Sequence, residues 1–286
     1  MKYSALIGYP TRHSVSHLLY AELIKTVKIE DFYQHIRVDV QLHEFEQSLN
    51  AFRTLNFIGL SVTLPLKLEA LRHLDKVDPV ASELGAVNTI KLGDTTTGYN
   101  TDWIGIVESI KAFGNRTDYE TATIFGTGGA AHAAIYACKQ LGVQNINVVY
   151  RHNLSQATRG LLESSERLGI NMHEYNQVHG LIKRSQLIIN ATSAGMVHND
   201  RLPFELKLIK DLLLTNKVFL DAVFNPINTP LLGHFKAQGA CTVDGLWMMV
   251  FQGVKALSIW LDSPVPTKTS ELKRIHSLLK AELSNV

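Results

Sequence analysis

A chain of 286 residues is long enough for two domains, and its composition, 45% hydrophobic and 19% charged, excludes extended disorder. A formal charge of +2, with Lys and Arg scattered, argues against nucleic acid or membrane as a partner but permits one local anion site. Two cysteines, Cys138 and Cys241, exclude a disulfide-dense scaffold. With no signal-peptide pattern in Met1-Lys2-Tyr3-Ser4-Ala5, the expected location is cytoplasmic.

Residues 4–8 read as a buried strand and residues 16–27 as a helix. Residues 33–40 and 57–63 read as further strands, separated by a helix around residues 44–55. Pro65 and Asp78-Pro79 punctuate a less regular part, and a strand pair flanks Gly93-Asp94. Residues 103–113 form one connecting helix. A second series of apolar runs follows at residues 121–125, 145–150, 186–189 and 217–221, each expected to lead into a helix. Two helical segments close the chain, residues 245–261 and 267–283, with Pro264 and Pro266 between them. The first is the most apolar stretch, but Gln252 and Lys255 make it a buried helix rather than a membrane span. The fold class is therefore α/β, with two α/β domains joined by a helix, the second of them doubly wound.

The run Thr123-Ile124-Phe125-Gly126-Thr127-Gly128-Gly129-Ala130 is a strand ending in a glycine cluster that opens a helix. Glycines there let a pyrophosphate approach bare amide N–H groups at the helix start. The competing reading is a plain tight turn. NAD-preferring folds place an acid at the end of the next strand, whereas here Tyr150 is followed by Arg151 and His152. A guanidinium suits a ribose 2′-phosphate, so NADP is expected, with NAD possible.

Lys67 follows a strand end and Pro65, and Asp102 stands at a helix start. Taken singly, the first reads as a solvated lysine and the second as a helix cap. Meeting in space, they have the chemistry to move a hydroxyl proton while a nicotinamide exchanges the hydride. In His13-Ser14-Val15-Ser16-His17 two hydroxyls alternate, and Ser16 is expected to cap the following helix. The two histidines lack a third ligand, so no metal site is expected.

Together these segments resemble the shikimate dehydrogenase family. The matches are Ser14 and Ser16; Val62, Thr63, Pro65 and Lys67; Gly85-Ala86-Val87-Asn88-Thr89; Asn100-Thr101-Asp102; and Gly126, Gly128, Gly129 and Ala130. They continue through Asn190-Ala191-Thr192-Ser193, Asp221 to Pro226, Thr229-Pro230-Leu231-Leu232 and Gly245 to Gln252, in the right order over nearly the whole chain. The resemblance implies a substrate-binding domain (1–103 plus 246–286), a Rossmann-type NADP domain (104–245) and an active site in the cleft between them. It also implies reversible NADPH-dependent reduction of 3-dehydroshikimate to shikimate. Lys67 and Asp102 match the catalytic pair, with Lys67 the preferred acid/base. Ser14, Ser16, Thr63, Asn88 and Gln252 match the substrate site, and Ser61 and Phe224 occupy two further positions of it. Gly126, Thr127, Gly128, Gly129, Ala130, Arg151, His152, Thr192, Ser193 and Gly245 match the cofactor site. The expected partner is the small-molecule substrate, with the chain a monomer or homodimer.

The chain departs from the family where Ser61 replaces Asn, Phe224 replaces Tyr, Trp103 replaces Gly and His17 replaces Pro. A second cofactor arginine also lacks a match. Ser61 and Phe224 keep a quinate or dual-specificity dehydrogenase with relaxed cofactor use as the alternative. A non-catalytic dinucleotide sensor is a third reading, which the retained Lys67 and Asp102 disfavour.

Overall fold

The computed structural model describes residues 1–29, 32–151, 155–197, 199 and 201–284. The chain divides into two compact units, Met1–Asp102 with Val250–Val286, and Trp103–Met249.

The first unit is built on strands β1 (Lys2–Gly8), β2 (Tyr33–Asp39), β3 (Phe57–Val62), β4 (Lys76–Val77), β5 (Thr89–Lys91) and β6 (Thr97–Tyr99). Their order is β2-β1-β3-β5-β6-β4, with β1 parallel to β2 and β3, and β5 antiparallel to β3 and β6. Strands β1 and β3 are central and carry near-continuous apolar runs, as strands covered on both faces do. On one face Ala5, Ile7, Leu60 and Val62 meet helix α2 (Phe45–Thr54). There Phe45, Leu49 and Phe52 fall four and three residues apart and so form one apolar stripe. Each side chain buried this way stabilises by about 1.5–3 kcal/mol.

The two-residue period of β3 turns Gly59 and Ser61 to the opposite face. Helix α1 (Ser16–Thr26) lies beside β2, and Trp260 of helix α9 (Gly245–Leu261) packs over Gly59. A Cβ at Gly59 would fall 2.1 Å from the indole Cδ1, so only glycine admits this contact. The indole Nε1 donates to the Ile90 carbonyl at 2.9 Å, which gives the buried ring its polar partner. The remaining helices of this unit are α3 (Pro79–Leu84) and α10 (Thr269–Ser284). Helix α3 starts at the Asp78 carboxylate, which accepts from the Val80 and Ala81 amides, with Pro79 in its first turn.

The second unit opens with helix α4 (Asp102–Phe113), all but its first residue, and contains β7 (Thr121–Phe125), β8 (Asn145–Tyr150), β9 (Ile170–Glu174), β10 (Leu187–Asn190), β11 (Val218–Asp221) and β12 (Cys241–Val243). Every pairing is parallel, in the order β12-β11-β10-β7-β8-β9. This is the doubly wound dinucleotide order, whose ligand crevice opens where the order reverses, at the carboxyl ends of β7 and β10. Helices α5 (Gly129–Gln140), α6 (Gln156–Leu168), α7 (Val178–Arg184) and α8 (Pro230–Ala237) supply the crossovers. One face is filled by Phe125, Ile188 and Phe219 against Leu181, Leu231 and Phe235.

The helix expected after β10 is not formed. Among the described residues, β10 and β11 are joined by a loop and a short 3-10 turn, Leu206–Ile209. The Asn190 carboxamide oxygen takes the Thr192 amide and hydroxyl, and the Thr192 hydroxyl takes the Ala194 amide. Those side chains satisfy the backbone in place of helical bonds. Among the described residues, no helix is long and apolar enough to cross a membrane.

Candidate active site

Lys67 sits on the loop that follows β3. Its carbonyl accepts from the Val87 amide at 2.9 Å, and Leu66 beside it is fully buried, so the segment is anchored on both sides. Asp102 is the first residue of α4. The capping task there falls to Asn100, whose carboxamide oxygen accepts from the Asp102 amide at 3.0 Å while its nitrogen donates to the Ala86 carbonyl. The Asp102 carboxylate is thereby released for side chains. Lys67 Nζ donates to Oδ2 at 2.6 Å, and Asn88 Nδ2 donates to Oδ1 at 2.8 Å. The lysine side chain is 22% exposed and the carboxylate 9%, a pair more shielded than a surface salt bridge and still reachable from solvent.

Asn88 is the hub. It is buried between β3 and the start of α4, and its oxygen accepts from the Thr101 amide at 2.7 Å and the Thr89 hydroxyl at 3.0 Å. The Gln252 carboxamide oxygen, on α9, takes the Thr101 hydroxyl at 3.2 Å and Asn88 Nδ2 at 3.4 Å. The structure thus brings together Lys67, Asp102, Asn88 and Gln252. It adds Thr89, Asn100 and Thr101, which sequence reasoning did not single out. The Asn-Thr-Asp signature held the clue to Asn100 and Thr101, and the Gly85 to Thr89 match held the clue to Thr89.

The four hydroxyl residues lie elsewhere in the same unit. Ser16, expected from sequence to cap the helix, does not do so; Val15 holds that position without a side-chain bond. The Ser16 hydroxyl instead meets His35 Nε2 at 3.3 Å, and its amide donates to the Ser14 hydroxyl at 3.2 Å. Ser61 is buried with its hydroxyl 3.2 Å from the Tyr20 hydroxyl. Thr63 is half-buried against Gly8. Phe224 belongs to the second unit, half-buried on the loop after β11.

In the second unit Gly126 ends β7 with φ +112°. A Cβ there would stand 2.9 Å from the Ala191 carbonyl oxygen, so glycine lets the strand end press against the loop after β10. Gly128 holds the cap position of α5 and brings no side-chain cap, and among the described residues no side chain is seen bonding the Gly129 or Ala130 amide. A Cβ at Gly128 would meet nothing within 4 Å, so the approach to those amides is open. Open approach and unclaimed donors at the start of a twelve-residue helix fit a pyrophosphate. The Thr127 hydroxyl is tied to Thr158 at 2.9 Å, and Ser193 accepts from Asn199 Nδ2 at 3.2 Å. Gly245 starts α9 directly after β12.

Arg151 is exposed at the end of β8, where an NAD-preferring fold would carry an acid. It bonds the Tyr175 hydroxyl and lines one open pocket with Tyr175 and Lys207. Glu205 lines the same pocket and pairs with Lys207, so the charge that fits a phosphorylated ribose is that of Arg151. His152 lies outside the described residues. Behind the loop, buried Asp221 accepts from Asn190 Nδ2 at 2.9 Å, the Val223 amide at 3.1 Å and the Thr229 hydroxyl at 2.6 Å. Burial pushes its carboxyl up to about 6, against the partial relief those donors give.

Residues 6–90 match the model of the shikimate dehydrogenase substrate binding domain. The chain is 34% identical over 268 residues to a shikimate dehydrogenase (NADP(+)) of Crocosphaera subtropica, covering 92% of each protein. Its structure is similar to that of shikimate 5-dehydrogenase from Thermus thermophilus in complex with NADP(H) and shikimate, with a TM-score of 0.84 and 28% identity, covering 97% of this chain and 99% of that one. It is also similar to quinate dehydrogenase from Corynebacterium glutamicum in complex with NAD, with a TM-score of 0.83 and 25% identity, covering 98% and 99%.

Proposed function

The chain belongs to the shikimate dehydrogenase family, and on that premise we propose that it interconverts 3-dehydroshikimate and shikimate with NADP(H) as redox partner. The observation that carries this reading is the Lys67–Asp102 contact at 2.6 Å, braced by Asn88 on the other carboxylate oxygen. Reduction of a ketone needs a proton at its oxygen as the hydride arrives at carbon, and oxidation needs that proton removed. NADP(H), when bound, supplies or takes up the hydride. Lys67 gives the proton to the carbonyl oxygen in reduction and takes it back from the hydroxyl in oxidation. Asp102 holds the lysine in place, and the pair shares the protonic work.

We assign the first unit to the substrate. Ser14 and Ser16 receive its carboxylate, and Thr63, Asn88 and Gln252 receive its hydroxyls. Ser61 and Phe224 shape the polyol site. The second unit holds the cofactor, with Gly126, Thr127, Gly128, Gly129 and Ala130 at the pyrophosphate and Arg151 at the 2′-phosphate. Thr192, Ser193 and Gly245 complete that site. We place it in the cytoplasm as a monomer or homodimer acting on a small molecule, and its low net charge argues against nucleic acid as a partner.

The quinate reading is the weaker one. The Crocosphaera relative, at 34% identity, bears the shikimate name, whereas the quinate dehydrogenase structure stands at 25%. The test is a kinetic matrix of shikimate and quinate, each with NADP+ and NAD+. The highest kcat/KM is expected for shikimate with NADP+. Higher kcat/KM with quinate, or no turnover with either acid, would overturn the proposal.

A further inference from the structure

Beneath Ser16 runs a line of polar groups that the proton-transfer chemistry does not use. The Tyr33 hydroxyl is 2.6 Å from Ser4 Oγ, Ser4 Oγ is 2.7 Å from His35 Nδ1, and His35 Nε2 is 3.3 Å from Ser16 Oγ. Tyr33, Ser4 and Ser16 are buried, on β2, β1 and α1, while His35 between Ser4 and Ser16 is half-buried. The Tyr20 ring covers the imidazole at 4.2 Å between centroids and itself packs on Trp260 at 5.0 Å.

The direction of this line follows from counting hydrogens. Three hydroxyls and a neutral imidazole bring one hydrogen each, four in all, to the three contacts. One hydrogen is therefore left over. Left on Tyr33 or Ser4, it would be a buried donor without an acceptor, which is costly. Left on Ser16, which is also buried at 4% exposure, it has no partner among the described residues, but Ser16 adjoins the half-buried His35 and Ser14 and so lies at the end of the line nearer the surface. Tyr33 thus donates to Ser4, Ser4 to His35 Nδ1, and His35 Nε2–H to Ser16.

We infer that the Tyr33–Ser4–His35 line fixes the Ser16 hydroxyl as an outward donor, preset for an anionic oxygen of the ligand, and that His35 is its positioning residue. This rests on the proposed function in one respect only, the identity of that oxygen as the substrate carboxylate. Burial lowers the His35 ring to about 3, helped by the nearby His17 charge, so one hydrogen on the ring is the working state. The other titratable groups around it, the Tyr20 and Tyr33 phenols, are pushed up by burial and keep their hydrogens.

The test uses two amide replacements that divide the imidazole between them. His35→Asn keeps a polar atom for Ser4 but does not reach Ser16, whereas His35→Gln reaches Ser16. His35→Asn is expected to raise the KM for shikimate about fivefold to tenfold, with kcat and the KM for NADP+ within about twofold. His35→Gln should recover most of the loss. In a Ser16→Ala background the His35→Asn effect should vanish. An unchanged KM in His35→Asn, equal losses in both variants, or persistence of the effect without the Ser16 hydroxyl would each overturn the inference. Nitrogen NMR of the wild-type ring reads the relay independently of turnover. A hydrogen on Nε2 is expected, and it should persist in Tyr33→Phe because the buried Ser4 hydroxyl still needs Nδ1 as its acceptor; a hydrogen on Nδ1 in the wild type would overturn the inference. If the wild type does not oxidise shikimate but the ring carries its hydrogen on Nε2, the functional reading fails while the relay stands.

Discussion

Asn88 donates to the Asp102 carboxylate at 2.8 Å from a strand-end position fourteen residues earlier in the chain, and the same carboxamide accepts the amide that precedes α4. One buried side chain therefore sets both the start of the helix and the direction of its first acid. Asn88→Ala removes the acceptor of the Thr101 amide and the Thr89 hydroxyl, leaving buried donors unpaired at a cost of about 2–4 kcal/mol. A lower denaturant midpoint and a fall in kcat are expected together. Wild-type values of both would show that Asn88 does not organise the site.

Arg151→Ala tests the cofactor choice. Loss of a charge-assisted contact to a phosphate costs about 1.5–3 kcal/mol, so NADPH should bind about tenfold to a hundredfold more weakly. NADH, which has no 2′-phosphate, should change little. Titration of both cofactors by fluorescence makes the comparison, and equal weakening would mean that Arg151 does not read the phosphate.

Asp221 and His35 give the stability of the two units opposite dependences on pH. The Asp221 carboxyl is raised by burial from 3.8 to about 6, so its stabilising contribution is full below 3.8 and is lost as pH rises through 6. The loss is about 3 kcal/mol, taking 1.36 kcal/mol per unit. Asp221→Asn should flatten this slope, measured as the difference in unfolding free energy between pH 4 and pH 7. A slope equal to that of the wild type would remove Asp221 as its source.

His35 runs the other way. Its ring is lowered by burial from 6.5 to about 3, so the unfolded chain takes up the proton first. Stability present above pH 6.5 is lost as pH falls toward 3, by at most about 5 kcal/mol for this half-buried ring. The loss should be largely absent in His35→Gln. An acid limb of the same steepness in the variant would assign it to other groups.

Much of this was legible in the sequence. Strands β1, β3, β7 and β8 announced themselves because each carries a largely apolar run between turn signals. Strand β9, Ile-Asn-Met-His-Glu, was missed because an edge strand with a largely exposed or half-buried pattern need not be apolar. Strand β4 has two residues and β12 three, too few to set a period. The loop after β10 was misread as a helix because Asn190 and Thr192 spend their side chains on the backbone. At the site, motif order pointed to Lys67 and Asp102, but only the fold shows that 35 residues of separation close to 2.6 Å. Tyr20, Tyr33 and His35 escaped notice because an aromatic or histidine at a strand or helix position reads as ordinary core.

Turnover of Lys67→Ala bears most directly on the role of the amine. Removing a proton-transfer group should lower kcat for shikimate oxidation by about 10²- to 10⁴-fold. NADPH affinity, measured on the same preparation, should stay within about twofold, because the residues assigned to the cofactor belong to the other unit. Wild-type kcat in a folded Lys67→Ala variant would contradict the assignment of Lys67 to the chemistry.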